Sequence, residues 1–269
     1  MIELKDVWKS FGDQPVLKGV NLSARDGETL VVIGRSGCGK SVMLKHLVGL
    51  MKPDRGRIYV DDEDITDYSE RELFGVRKKF GFLFQGAALL DSLTVGENVG
   101  LGLAELSAYP PDVIRDIVKE KLAMVGMSGT ENYMPADLSG GMKKRVGLAR
   151  AIVMEPEIIL YDEPTTGLDP IMADSINKLI IDLKNELKIT SIVVTHDMTS
   201  VRKVGDRFAM LHDGRIIFDG TITELDTTEN PSVRQFVEGH ADNFVETALR
   251  HNSFEKSPLF PATDNELQT

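Results

Sequence analysis

"TLVVIGRSGCGKS", residues 29–41, decides the fold. A short apolar run enters a loop holding Gly34, Gly37 and Gly39, which closes on Lys40 and Ser41. From Gly34 to Ser41 the stretch matches G-x-x-x-x-G-K-[ST] in full. Immediately downstream, Leu44, Leu47, Val48 and Met51 are spaced as one face of a helix. Strand, glycine loop and helix in that order form a phosphate-binding loop. Glycines let the N–H groups of Arg35, Ser36 and Cys38 wrap phosphate oxygens, and the helix N-terminus adds a favourable dipole up to Val42. Lys40 then reaches the β- and γ-phosphates, and Ser41 ligates Mg²⁺. The plain alternative, an ordinary glycine turn before a helix, is set aside by motif and context together. Cys38 reads as a tolerated filler whose thiol would compete with nucleotide if alkylated.

Three more strands share the pattern of the first, apolar throughout and ending in a polar residue: "KFGFLFQ" at Gln85, "EIILYDE" at Asp162 and Glu163, "TSIVVTH" at His196. Strands apolar on both faces belong in a buried, mostly parallel sheet. Ligands in such sheets sit beyond the carboxyl ends of the strands. Lys40, Gln85, Asp162 with Glu163, and His196 are therefore expected on one rim. Asp162 is placed to hold the metal, and Glu163 is the candidate general base for an attacking water. Upstream, Asp26-Gly27 and Asp61-Asp62 each separate β-prone runs and predict hairpins. Residues 86–137 read as a helical insertion, with Pro110-Pro111 opening a helix that carries Val113, Ile117, Leu122 and Val125. Beyond about residue 240 the sheet pattern ends, and 241–269 reads as a C-terminal extension, a possible dimer contact.

Composition bounds the function. The chain has 269 residues, a formal charge of −11 and a single cysteine, with a pI near 5.0. An acidic balance argues against nucleic acid as partner. No apolar run approaches the roughly 18 residues of a membrane span, and "MIELKDVWKS" lacks the apolar core of a secretory leader. One cysteine excludes an internal disulfide framework. The expectation is a cytoplasmic chain.

"LSGGMKKRVGLARAI", residues 138–152, supplies a second glycine-rich helix start, with Ser139 as N-cap. Alone it reads as a capped helix with a solvated basic face. With the other motifs it resembles the signature sequence of ABC-type ATPases, upstream of "ILYDEP" as in that family. The resemblance covers about residues 1–240. It implies an α/β P-loop NTPase of ABC type, with a mostly parallel core sheet, an N-terminal antiparallel β part and a helical insertion joined by the signature helix. Two copies pair head to tail, so one chain holds two half-sites. Lys40 serves its own ATP, and Ser139, Gly140 and Gly141 serve the partner's. By the same resemblance Phe11 fills the adenine-stacking position, Gln85 the Q-loop and a Mg²⁺ ligand, Asp169 the D-loop and His196 the switch histidine. The insertion receives an integral-membrane permease, which puts this chain on the cytoplasmic face of the inner membrane.

The signature usually ends in glutamine; here it ends in Met142. "LSGGM", "FQGAALLDSLTVGENV" (84–99) and "NPSVRQFVEG" (230–239) are similar to the Mla-type ATPases. These energise phospholipid trafficking with a permease and an MCE-domain lipid-binding protein. Gly86 stands where many members have serine. Importers of amino acids or metals share every ATPase motif and stay open as the alternative. A non-transport ABC ATPase would need a basic surface or tandem cassettes, and a nucleotide kinase would not explain "LSGGM".

Overall fold

The computed structural model describes residues 1–239; the extension 241–269, with its expected dimer contact, lies outside them. The chain opens with a hairpin of β1 (Ile2–Phe11) and β2 (Gln14–Ala24), then passes to β3 (Thr29–Ile33) and the phosphate-loop helix α1 (Lys40–Leu47). β4 (Arg55–Val60) and β5 (Glu63–Asp64) come next. The order β2-β1-β4-β5 makes the N-terminal antiparallel sheet. The second expected hairpin is present: Asp61 and Asp62 have φ of 51° and 65°, and Tyr59 pairs Asp64. Two successive left-handed residues are what a twist-matched two-residue turn needs.

The hairpin expected at Asp26-Gly27 is absent. β2 stays in the first sheet, and β3 crosses to the second, pairing with β8 (Thr190–Thr195) and β9 (Arg207–His212) rather than β2. The burial patterns explain it. β2 alternates, whereas all five residues of β3 are buried, and a strand apolar on both faces must lie inside a covered sheet.

After α2 (Glu70–Arg77) and β6 (Phe80–Leu83) come α3 (Val95–Leu106), α4 (Pro111–Met124), α5 (Gly140–Ile152), β7 (Ile158–Asp162), α6 (Pro170–Leu187), β8 (Thr190–Thr195) and α7 (Met198–Val204). β9 (Arg207–His212), β10 (Arg215–Gly220), α8 (Ile222–Thr227) and α9 (Pro231–Glu238) end the described chain. The second sheet runs β10-β9-β3-β8-β7-β6 and is parallel except for the β9–β10 hairpin. Because side chains alternate along a strand, Val31, Tyr161 and Val193 point into the core beneath α3 to α7. Leu30, Leu160 and Ile192 point into a second core shared with α1 and the antiparallel sheet.

The insertion is helical as expected, with one change of face. Val113 is among the exposed apolar residues, and Val118 is buried with Leu122 and Val125. Spacing of four and three residues keeps those side chains together against α3 and α5. α3 is held by a capping box between Thr94 and Glu97. No helix among the described residues is long and apolar enough to cross a membrane.

Candidate functional site

Gly34 ends the β3 run where backbone from β9 comes close. A Cβ there would stand 2.3 Å from the Leu211 carbonyl oxygen. Gly39, the residue before α1, has φ of 107°, a conformation only glycine takes without strain. Lys40 is 6 % exposed. Its ammonium donates to the carbonyls of Gly34 at 2.7 Å and Arg35 at 3.2 Å and stands 3.4 Å from Glu163 Oε1. Ser41 Oγ donates to Asp162 Oδ1 at 3.0 Å. Burial pushes the Asp162 carboxyl above its ordinary range; the Ser41 bond pulls the other way, and the neighbouring Glu163 charge adds to the rise.

Glu163 sits one residue past β7 with φ of 49°. Its amide donates to the Val194 carbonyl at 2.9 Å. Its Oε2 lies 2.9 Å from His196 Nδ1 and accepts from Thr166 Oγ1 at 3.2 Å. A carboxylate only accepts, so Nδ1 is the donating nitrogen of that imidazole. These groups share a cleft of about 290 Å³ lined by Lys40, Ser41, Gln85, Glu163 and His196, together with Ser36, Gly37, Gly39 and Val42 of the phosphate loop. Val16 of β2 completes the wall, and no sequence motif marks it. Cys38 is half-buried and packs toward the second core; burial raises its thiol pKa.

The remaining expected residues stand elsewhere. Ser139 and Gly140 are exposed at the start of α5, and Gly141 is buried. A Cβ on Gly141 would meet Met172 Cε of α6 at 2.3 Å. Ser139 Oγ caps Met142 N, and Asp169 caps α6 through Ile171 N and Met172 N. Neither the signature residues nor Asp169 line the 290 Å³ cleft. Phe11 does not line it either; its ring is exposed at the β1–β2 turn.

The basic face of α5 departs from the solvated reading. Lys144 is 4 % exposed and donates to the carbonyls of Gln85 and, at 3.1 Å, Glu163. Arg150 donates to Ala87 O and Ala88 O. Arg145 holds Val125 O and Ser175 Oγ. These cations exchanged hydration for backbone carbonyls, which offsets part of the cost of burial.

For Mg²⁺, the candidate donors are the Ser41 hydroxyl, the Asp162 carboxylate and the Gln85 amide. All offer oxygen, the donor that a hard divalent ion takes. The Ser41–Asp162 contact shows that two of them already converge, so the residues fit the ion.

The family model "ABC transporter" matches residues 17–166. The probable ribonucleotide transport ATP-binding protein mkl of Mycobacterium tuberculosis is 43 % identical over 88 % of this chain and 66 % of its own length; the chain thus spans about two thirds of that relative. The intermembrane phospholipid transport system ATP-binding protein MlaF of Haemophilus influenzae is 39 % identical, over 91 % of this chain and 93 % of its own. A solved ATP-binding cassette, dimeric in a post-hydrolysis state with ADP and Pi, superposes with a TM-score of 0.77 at 37 % identity. The match covers 82 % of this chain and 99 % of that one.

Proposed function

The chain belongs to the ABC transporter family, and from that premise we propose that it is the ATP-binding and hydrolysing subunit of a membrane transporter, acting as a head-to-tail homodimer on a permease. The observation that carries the reading is the cleft in which Lys40, Ser41, Gln85, Glu163 and His196 meet, while Ser139, Gly140 and Asp169 stand outside it on an exposed surface. One set of residues serves the chain's own nucleotide. The other faces a second copy, which fits the dimer captured in the related cassette.

The roles follow from the contacts. Lys40 exchanges the carbonyls of Gly34 and Arg35 for phosphate oxygens, a stronger charge-assisted pairing. Glu163 keeps one oxygen occupied by His196 and Thr166, which turns the other toward Lys40 and the phosphate. That oxygen takes the proton of the attacking water. His196 and Lys40 hold the γ-phosphate between them. Ser41, Asp162 and Gln85 would hold Mg²⁺, which neutralises charge on the β- and γ-oxygens when bound. Ser139, Gly140 and Gly141 of the partner cap the same phosphate from the helix start.

A permease contact at α3 and α4 agrees with the apolar groove there, about 610 Å³, lined by Leu93, Gly100, Leu101, Ala104 and Ile114. The groove is larger than the nucleotide cleft, and Glu97, Arg115, Lys119 and Glu131 add charged groups to its apolar lining. For the cargo, phospholipid moved with an MCE-domain partner is the reading supported by the "LSGGM" signature and the MlaF relative. The name of the mycobacterial relative favours a ribonucleotide as a second reading. Importers of amino acids or metals use the same ATPase residues. Gentle isolation from detergent-solubilised membranes, with mass spectrometry of co-purifying proteins and lipids, tests the assignment. A multi-spanning permease, an MCE-domain protein and phospholipid support it. A permease with a soluble receptor replaces the cargo, and the absence of any membrane partner overturns the transporter reading.

A further inference from the structure

Lys144 is a buried cation outside the lining of the nucleotide cleft. It lies in the second turn of α5, which begins at Gly140, and it is 4 % exposed. Burial lowers the affinity of its ammonium for the proton, against the charges of Asp162 and Glu163. Among the described residues no carboxylate stands within ion-pairing distance of it; its described partners are main-chain carbonyls, those of Gln85 and Glu163. Those residues come just after β6 and β7, neighbouring parallel strands in register from Phe80 with Ile158 to Leu83 with Tyr161. One side chain of the signature helix thus bridges the Q-loop and the main chain of the catalytic carboxylate.

Glu163 needs such a hold. Its φ of 49° is uncommon for a residue with a side chain, and persists where the surroundings over-determine it. Its amide is tied to Val194 O on one side. Its carbonyl accepts from Lys144 Nζ at 3.1 Å and, more weakly, from Thr166 N at 3.3 Å on the other. With both flanking peptides held, the backbone of Glu163 and the direction of its Cα–Cβ bond are fixed, and His196 and Thr166 then hold one carboxylate oxygen. Arg150, on the same helix, holds Ala87 O and Ala88 O, so Lys144 works against a Q-loop fixed from the same side.

We propose that Lys144 is a positioning residue for hydrolysis: its ammonium locks the main chain of Gln85 and Glu163 in one frame, so the signature helix sets the aim of the Glu163 carboxylate. This rests on Glu163 being the water-activating base. A displacement of about 1 Å at a reacting group costs roughly 10²-fold in rate, and Lys144→Met removes the lock without touching nucleotide.

The test compares Lys144→Met, Lys144→Arg, Glu163→Gln and the Lys144→Met/Glu163→Gln double variant as full chains, by steady-state ATPase and by affinity for a fluorescent ATP analogue. Expected for Lys144→Met is a fall in kcat of roughly 10²-fold, with KM and analogue affinity within about twofold, since the phosphate loop is untouched. Lys144→Arg, which keeps donors for both carbonyls, recovers most of the rate. The double variant is no slower than Glu163→Gln alone, because Lys144 acts through Glu163. Wild-type kcat in Lys144→Met, no recovery by arginine, or further slowing in the double variant overturns the proposal. If Lys144→Met no longer binds the analogue, Lys144→Gln, which retains an amide donor, takes its place in the same comparison. Full turnover in Glu163→Gln instead refutes the base assignment itself. A slow Glu163→Gln beside an unaffected Lys144→Met refutes the positioning role alone.

Discussion

Removing the Ser41 hydroxyl isolates one hydrogen bond at the heart of the site. In Ser41→Ala, Asp162 Oδ1 loses its donor at 3.0 Å, while the carboxylate stays 8 % exposed with little water to replace it. A hydrogen bond to a charged group contributes about 1.5–3 kcal/mol. For a chain of this size each kcal/mol moves Tm by about 2–4 °C, so the melting temperature without nucleotide should fall by roughly 3–12 °C. The loss should depend on pH with a definite sign. The Ser41 bond lowers the pKa of Asp162, opposing the rise that burial causes, so it stabilises the charged carboxylate. Its contribution is full where Asp162 is ionised, above its raised folded pKa, and fades as pH falls through that value and the carboxyl protonates. Calorimetry of wild type and Ser41→Ala at neutral and acidic pH measures both effects. A Tm difference below about 1 °C at neutral pH, or one that stays constant into acid, would refute the reasoning. The same variant should also require more Mg²⁺ for half-maximal ATPase, because it loses one candidate oxygen donor.

Three further outcomes rest on individual contacts. Gly34→Ala places a Cβ 2.3 Å from backbone oxygen of Leu211, so the loop must shift; the cost is about 1–3 kcal/mol with loss of ATP affinity, seen by thermal melting and nucleotide titration, and wild-type affinity would contradict it. Cys38 should alkylate slowly at neutral pH and faster as pH rises, since burial raises the thiol pKa; mass spectrometry of a timed reaction checks this, and rapid modification at neutral pH counts against it. Leu122→Ala, at a fully buried position of α4, should cost about 2–5 kcal/mol on chemical denaturation; a loss under about 1 kcal/mol would mean that the insertion does not pack as a unit with α3 and α5.

Much of the site was legible because its elements carry redundant signals. The strands ending near Gly34, Gln85, Asp162 and His196 are apolar at consecutive positions, which fits the two separate cores that cover the sheet. From that pattern alone, the polar residues after them share a rim. Turn chemistry was a poorer guide. Asp26-Gly27 makes a turn in either case, and only the burial of all of β3 decides that the chain changes sheet there.

The cations of α5 were misread for a different reason. A lysine in a helix start reads as solvated unless its buried partners are known, and carbonyls of Gln85 and Glu163 are brought to it by tertiary packing. One signal was present. Lys144 falls three residues after Gly141 and four before Leu148, on the face that the apolar positions mark as buried. Val113 failed in the opposite sense: it is apolar, but five residues before Val118 it lies on a different side of α4 from the face that Val118 and Leu122 present.

The central claim is that this chain holds two half-sites of different ATP molecules. Glu163→Gln should retain bound ATP if Glu163 is the base, so its mass by light scattering with ATP and Mg²⁺ is the direct test. The expected result is a shift from 29.7 kDa to twice that mass, abolished when Ser139→Arg is added at the exposed signature cap. A single-chain mass with ATP fully bound would contradict the two-half-site arrangement.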